Sequence, residues 1–334
     1  MASPHNHFQV QYGIVPSRNF SPSCESGDWE FFDIIFPRPF EADPVRVFLC
    51  GNNHSLPRGD RQCAAVAIAR DVTRAGFTLA ARNSDCSRGS CGFNWIAIYD
   101  AGKPVESPVS IKTGFVHPVG FERHCLPWDW HTWNVRFSTM FNDLPVVFST
   151  ANSLGVRDSQ VLMNGGNIGR AFLNPAVVGL TQEPTLAGFT LAGRNSDCGW
   201  GNAGFYYAAF SLKPAGDDEL LVEAGEVLPR LFWQACSEGD WQEWLVYFET
   251  PFLIPPVVIL TANNLNVPYW DHNPAVVGVV RDVTTHYFTL AARNSDCAGG
   301  PRSGVFGQTW GEPIDPSGLA GLYWLALGYP SKCG

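Results

Sequence analysis

Basic charge is scarce in this chain of 334 residues: 22 Lys and Arg stand against 31 Asp and Glu, a formal net charge of −9. Nucleic-acid affinity comes from Lys and Arg neutralising phosphates, so the deficit argues against a nucleic-acid partner. It argues equally against a polybasic membrane anchor. No apolar run approaches the ~18 residues of a membrane span, so membrane insertion is not expected. Long Ala/Glu/Lys/Leu stretches at helical spacing are missing. So are a G-x-S-x-G elbow, a P-loop and a dinucleotide fingerprint, and no cofactor is expected. The start, Met1-Ala2-Ser3-Pro4-His5-Asn6-His7, lacks the basic and apolar regions of a secretory signal. That leaves two localisations open: cytoplasmic with non-classical release, or extracellular.

What is present favours β-structure. Hydrophobic residues make up 45% and charged residues 16%, enough apolar surface for a core and too little charge for a disordered chain. The abundance of Gly (33), Pro (25), Phe (23) and Trp (12) describes short strands joined by tight turns.

The chain also repeats itself. Arg-Asn-Ser-Asp-Cys occurs at 82–86, 194–198 and 293–297, each time after Phe-Thr-Leu-Ala (Phe77, Phe189, Phe288) and one further residue. A second block holds equal spacing around Cys24, Cys125 and Cys236. It comprises Gly13, Gly114 and Gly225; the Asp-Trp pairs ending at Trp29, Trp130 and Trp241; Phe36/Phe40, Phe137/Phe141 and Phe248/Phe252; and Pro44, Pro145 and Pro256. Three units follow, 1–105, 106–216 and 217–334. Extra length in the second falls at Val156 to Asn167, and the third carries a long insertion near 298–320, both read as surface loops. Each unit reads as about six short strands, expected to form a two-sheet antiparallel sandwich.

The opening Gly, the F-x₃-F-x₃-P-V stretch, the G-F-T-L strand and the closing Trp95-Ile96-Ala97-Ile98 strand resemble the H-type lectin domain, three times over. That family's single domains are six-stranded sandwiches that assemble as trimers. The resemblance implies an all-β chain of three tandem six-stranded antiparallel β-sandwiches with pseudo-threefold symmetry. The other arrangement is three independent beads on a string. The family's galactose/N-acetylgalactosamine-type site carries over less well. Asn83-Ser84-Asp85 stand where members carry Trp-His, and the members' Arg falls on Ile68, Leu180 and Val279. Arg70 and Arg281 lie two positions further on, with Gln182 in the second unit.

Ten cysteines are present. Parsimony, and the similar tie in the H-type fold, pair the repeated ones as Cys24–Cys86, Cys125–Cys198 and Cys236–Cys297. Cys50 and Cys63 flank a polar loop that a bridge would close, leaving Cys91 and Cys333. Reduced buried thiols are the other reading. Zinc ranks well below the disulfide reading, since Cys86/Cys91 has no second pair in its unit and the other units lack the second Cys.

Arg-Asn-Ser-Asp is the one polar cluster common to all copies. Asp accepts two hydroxyl hydrogens, Asn donates and accepts, Arg donates a fork, and a nearby aromatic covers a sugar's C–H face. This nominates Arg82, Asn83, Asp85, Arg194, Asn195, Asp197, Trp200, Arg293, Asn294 and Asp296 as ligand-binding. Trp310 is a further aromatic candidate in the third unit. An architectural reading stands beside it: Arg and Asp three apart can staple a turn that Asn and Ser cap. Weaker candidates are the acids Asp71, Glu183 and Asp282, the strand-end Asn52, Asn152 and Asn263, and His117, His124 and His131. The expected function is a multivalent, non-catalytic lectin whose partners are glycans or glycoconjugates, with a higher oligomer of the chain allowed. The alternatives are an adhesion module that binds protein and, less favoured, a glycoside hydrolase. Against the last, catalytic carboxylate pairs arise once on a scaffold, whereas these acids recur in every unit.

Overall fold

The computed structural model describes residues 8–20, 29–53, 63, 65–83, 89–100, 109–121, 130–152, 159–162, 168–171, 177–195, 201–212, 221–232, 241–263, 276–294 and 318–331. Unit 1 contributes β1 (Phe8–Phe20), β2 (Glu30–Ile35), β3 (Val45–Asn52), β4 (Ala65–Arg70), β5 (Gly76–Asn83) and β6 (Gly89–Asp100). Unit 2 contributes β7 (Val109–Phe121), β8 (His131–Arg136), β9 (Val146–Asn152), β10 (Ser159–Leu162), β11 (Ile168–Ala171), β12 (Val177–Thr185), β13 (Gly188–Asn195) and β14 (Gly201–Leu212). Unit 3 contributes β15 (Leu221–Phe232), β16 (Gln242–Tyr247), β17 (Val257–Asn263), β18 (Val276–Arg281), β19 (Tyr287–Asn294) and β20 (Gly318–Gly328). The described residues contain no helix.

The chain is all-β, three six-stranded sandwiches related by a pseudo-threefold axis, and its sheets are shared between units. The three large sheets run β1-β6-β3-β18-β19-β16, β2-β5-β4-β9-β14-β7 and β15-β20-β17-β12-β13-β8. Each joins three strands of one unit to three of the next. Pairing within each half is antiparallel. The joints are parallel: Val279 and Val280 beside Gly51 and Asn52, Ala69 beside Asn152, Leu180 and Thr181 beside Ala262 and Asn263. Unit 1 therefore meets unit 2, unit 2 meets unit 3, and unit 3 returns to unit 1. The ring closes, which excludes beads on a string. Unit 2 corrects one loop expectation, because much of its extra length is an antiparallel hairpin, Ser159–Leu162 against Ile168–Ala171.

The repeated residues build each core. Phe36 meets Phe40 edge to face at 5.0 Å and packs on Phe77 and Trp95. Phe137/Phe141 and Phe248/Phe252 repeat the arrangement at 5.0 and 4.8 Å. The same phenylalanines donate backbone N–H groups to carbonyls of the hairpin turn after β4 and its counterparts: Phe40 to Arg74, Phe141 to Leu186, Phe252 to Thr285. The opening glycines are required by close approach. A Cβ on Gly13 would lie 2.7 Å from the Trp95 ring, on Gly225 2.7 Å from Trp324, and on Gly114 2.2 Å from the Tyr207 hydroxyl.

At the axis, β3, β9 and β17 are linked in a cycle. The Leu49 N–H donates to Thr150 Oγ1 (3.0 Å) and the Ser149 N–H to Thr261 Oγ1 (3.2 Å). The Leu260 N–H faces the Cys50 sulfur. Strand register makes Cys50, Thr150 and Thr261 equivalent, since each follows the residue opposite Trp95, Tyr207 or Trp324. A Cys50–Cys63 bridge is not formed: Cys50 is a buried thiol that donates to the Gly51 carbonyl at 3.3 Å. Burial pushes that thiol up to about 12. The six cysteines of the three proposed pairs (Cys24, Cys86, Cys125, Cys198, Cys236 and Cys297), together with Cys333, lie outside the described residues.

Candidate functional site

Strand β5 and its counterparts deliver the Arg-Asn-Ser-Asp block to one end of each unit. Arg82, Arg194 and Arg293 turn inward, at 1%, 1% and 2% exposure. Their guanidinium carbons lie 5.6, 5.6 and 5.4 Å from the ring centres of Trp29, Trp130 and Trp241. The repeated Trp is thus one partner of the repeated Arg, a cation–π contact strengthened by desolvation. Buried this deeply, the arginines do not present their donors to a ligand in solution. Such burial favours the architectural reading for these arginines. Asn83 and Asn294 are also buried, and Asn195 pairs in register with Val177. Asp85, Asp197, Asp296, Trp200 and Trp310 lie outside the described residues.

A second set of polar residues gathers at the seams between units. Strand β3 ends at Asn52 beside Val280 of unit 3, and the next residue, Asn53, donates its N–H to the Val280 carbonyl at 3.2 Å. Asn53 and Asp282 exchange two further contacts, 3.4 and 3.5 Å. The same topology sets Asn152 beside Ala69, one residue from Arg70 and two from Asp71. It sets Asn263 beside Thr181, ahead of Gln182 and Glu183. Asp71, Glu183 and Asp282 all hold left-handed backbone, φ 46°, 45° and 48°. That conformation costs L-residues energy and persists only where the surroundings impose it. Asn52 also faces Gly92 across the β3–β6 ladder, where β6 emerges just after the unit 1 block. Each seam therefore brings a strand-end Asn and the start of the β6-type strand from one unit against an Arg/Gln–acid pair from the next. Asn52 itself is buried and donates to Asn94 Oδ1 at 2.8 Å, which fixes its amide.

The three seams differ in chemistry. Arg70 is buried, with its guanidinium 5.9 Å from the ring of Phe31, which is 42% exposed. Arg281 forms an ion pair with Glu243 and lies 4.8 Å over Trp241. Burial lowers the Arg281 pKa while Glu243 opposes that shift. The middle seam carries the neutral Gln182, also buried. At the seam of units 1 and 3, Arg281 is half-buried while Glu243 and Asp282 are exposed, so a planar donor and two carboxylates are within reach of a polyhydroxylated ligand. His117 and His131 are exposed, and His124 is outside the described residues. Among the described residues, no group of three or more His, Cys, Asp or Glu is arranged to hold a metal ion.

Sequence reasoning places the seam acids among the weaker candidates because β-strand pairing between units is invisible to it. The available signal was an acid at the same position in every copy directly after Arg or Gln. Compared with known proteins, the sequence matches no family model and no curated relative.

Proposed function

We propose that this chain is a multivalent carbohydrate-binding protein that performs no catalysis. The observation that carries the reading is the threefold recurrence, around a closed ring, of a seam site to which two units contribute polar side chains. The resemblance to H-type lectin domains supports it and points to galactose/N-acetylgalactosamine-type glycans. Three weak sites on one rigid ring raise avidity for clustered glycans through effective concentration. The test is a glycan array followed by calorimetric titration with the best ligand. Saturable binding at up to three ligands per chain without turnover is the expected result. Release of reducing sugar would replace it with a hydrolase. A second reading, an adhesion module for protein, is favoured by one feature. Unit 3 exposes Leu253, Ile254 and Tyr329 at 62%, 56% and 52%, joined through the Leu253 N–H to the Tyr329 carbonyl. Target binding that survives deglycosylation would select that reading.

A further inference from the structure

Two cysteines break the threefold repeat of the chain, and both do so in unit 1. Counted back from the repeated Arg82, Arg194 and Arg293, Cys63 stands where units 2 and 3 have Pro175 and Pro274. Counted back from Trp95, Tyr207 and Trp324, Cys91 stands where they have Ala203 and Ala320. A proline and an alanine in two copies are thus replaced together by two cysteines in the remaining one.

The fold sets these two positions side by side. The Cys63 N–H donates at 3.4 Å to the Ser90 carbonyl, which belongs to the peptide leading into Cys91. Proline has no N–H to give, so only unit 1 carries a residue able to make this contact. Paired residues on adjacent strands hold their α-carbons ~4.5–5.5 Å apart, inside the ~4.4–6.8 Å that a disulfide spans. Both side chains are buried, at 0% and 1% exposure, in the core cluster that holds Phe20 and Phe93. Cys50 does not compete for Cys91. The Cys91 sulfur lies 3.1 Å from where a Cβ on Gly51 would stand. Cys50 is the preceding residue of the same strand, so it points to the opposite face, and its sulfur turns to the Gly278 carbonyl of unit 3 at 3.7 Å.

We propose that Cys63 and Cys91, thiols in the structure, are a disulfide site peculiar to unit 1. The oxidant is a small disulfide of the glutathione class. One cysteine thiolate attacks its S–S bond and expels one thiol; the other attacks the mixed disulfide and expels the second. The two cysteines give up two protons and two electrons, and the oxidant leaves as two thiols. Burial puts both sulfurs out of reach in the finished fold, so the bond closes as the chain folds. It braces unit 1 behind its seam with unit 3. The Cys91 sulfur lies 3.8 Å from the Asn52 carbonyl, and Gly51 and Asn52 stand beside Val279 and Val280. The site does not depend on the carbohydrate reading.

The test refolds the full chain from urea in a buffer of reduced and oxidised glutathione. The protein is then alkylated with iodoacetamide in urea, digested without reduction and mapped by mass spectrometry. A peptide linking Cys63 to Cys91 is expected as the main species for both residues. Cys91→Ala, which installs the residue of units 2 and 3, should keep the fold, lose that peptide and leave Cys63 alkylated. Recovery of Cys63 and Cys91 as alkylated thiols from the wild type overturns the proposal. So does either of them linked to another cysteine, Cys50 or Cys86 included. The wild-type map decides the matter even if Cys91→Ala does not fold.

Discussion

Replacing Thr150 with valine tests the axial cycle of hydrogen bonds directly. The two side chains have nearly the same shape, so packing changes little. What is lost is the acceptor for the Leu49 N–H, 3.0 Å away in a wholly buried contact. Leu49 lies on β3, Thr150 on β9, and these strands belong to different units. The stranded N–H is buried, so the cost is that of a buried unsatisfied donor, about 1–3 kcal/mol. Thr261→Val should cost at least as much, because Thr261 accepts from the Ser149 N–H and also lies 3.4 Å from its carbonyl oxygen. Cys50→Thr runs the other way. It puts a hydroxyl where sulfur, a weak acceptor, now faces the Leu260 N–H, and should stabilise by up to about 1 kcal/mol. Urea unfolding at equilibrium reads all three as shifts in midpoint at constant slope. A Thr150→Val protein within about 0.5 kcal/mol of wild type, or a Cys50→Thr protein less stable than wild type, would refute the reasoning.

Other consequences are as direct. Gly13→Ala drives a methyl group to 2.7 Å from the Trp95 ring and should cost about 1–3 kcal/mol, read by the same unfolding curves. Burial pushes the Cys50 thiol and the Tyr206 phenol each up to about 12. The folded state therefore holds protons that the unfolded chain releases from about pH 8.5 and 10. Their contribution is complete below those values and is lost as pH rises toward 12, so urea midpoints unchanged between pH 8 and 11 would contradict the assignment. Cys50 should resist iodoacetamide in the native protein and react once unfolded, as peptide mapping by mass spectrometry would show. Asp85→Ala, Asp197→Ala and Asp296→Ala should each remove about a third of the carbohydrate stoichiometry if those acids contact sugar. Lost melting temperature at unchanged stoichiometry would assign them to architecture.

Much of the fold was legible because repetition substitutes for an alignment. Equal spacing of Gly13, Trp29, Phe36, Phe40 and their counterparts announced three identical packing problems, and the structure solves each the same way. The sharing of sheets was not legible. The parallel joints involve one or two register pairs each, and no local pattern in Ala69 or Asn152 names its partner. The burial of the arginines in the block Arg-Asn-Ser-Asp was not legible either. A buried arginine is rare, so its polarity read as exposure, although a Trp recurred at fixed spacing from every copy. Asp71, Glu183 and Asp282 were seen and undervalued, because a left-handed residue has no sequence mark when it is not Gly or Asn. The hairpin of Ser159–Leu162 and Ile168–Ala171 was hidden in a Gly-rich stretch without alternation.

Because every large sheet is half one unit and half the next, the ring has no privileged first unit. Its three seams are built alike, yet no peptide bond between consecutive units bridges the one between units 3 and 1. The order in which the chain visits the units is therefore incidental to the architecture. A circular permutant that joins the present ends and opens the chain between β6 and β7 should rebuild the same ring. A single excised unit should fold only by recruiting two copies of itself, since alone it exposes the edges of β3 and β4 that its neighbours now complete.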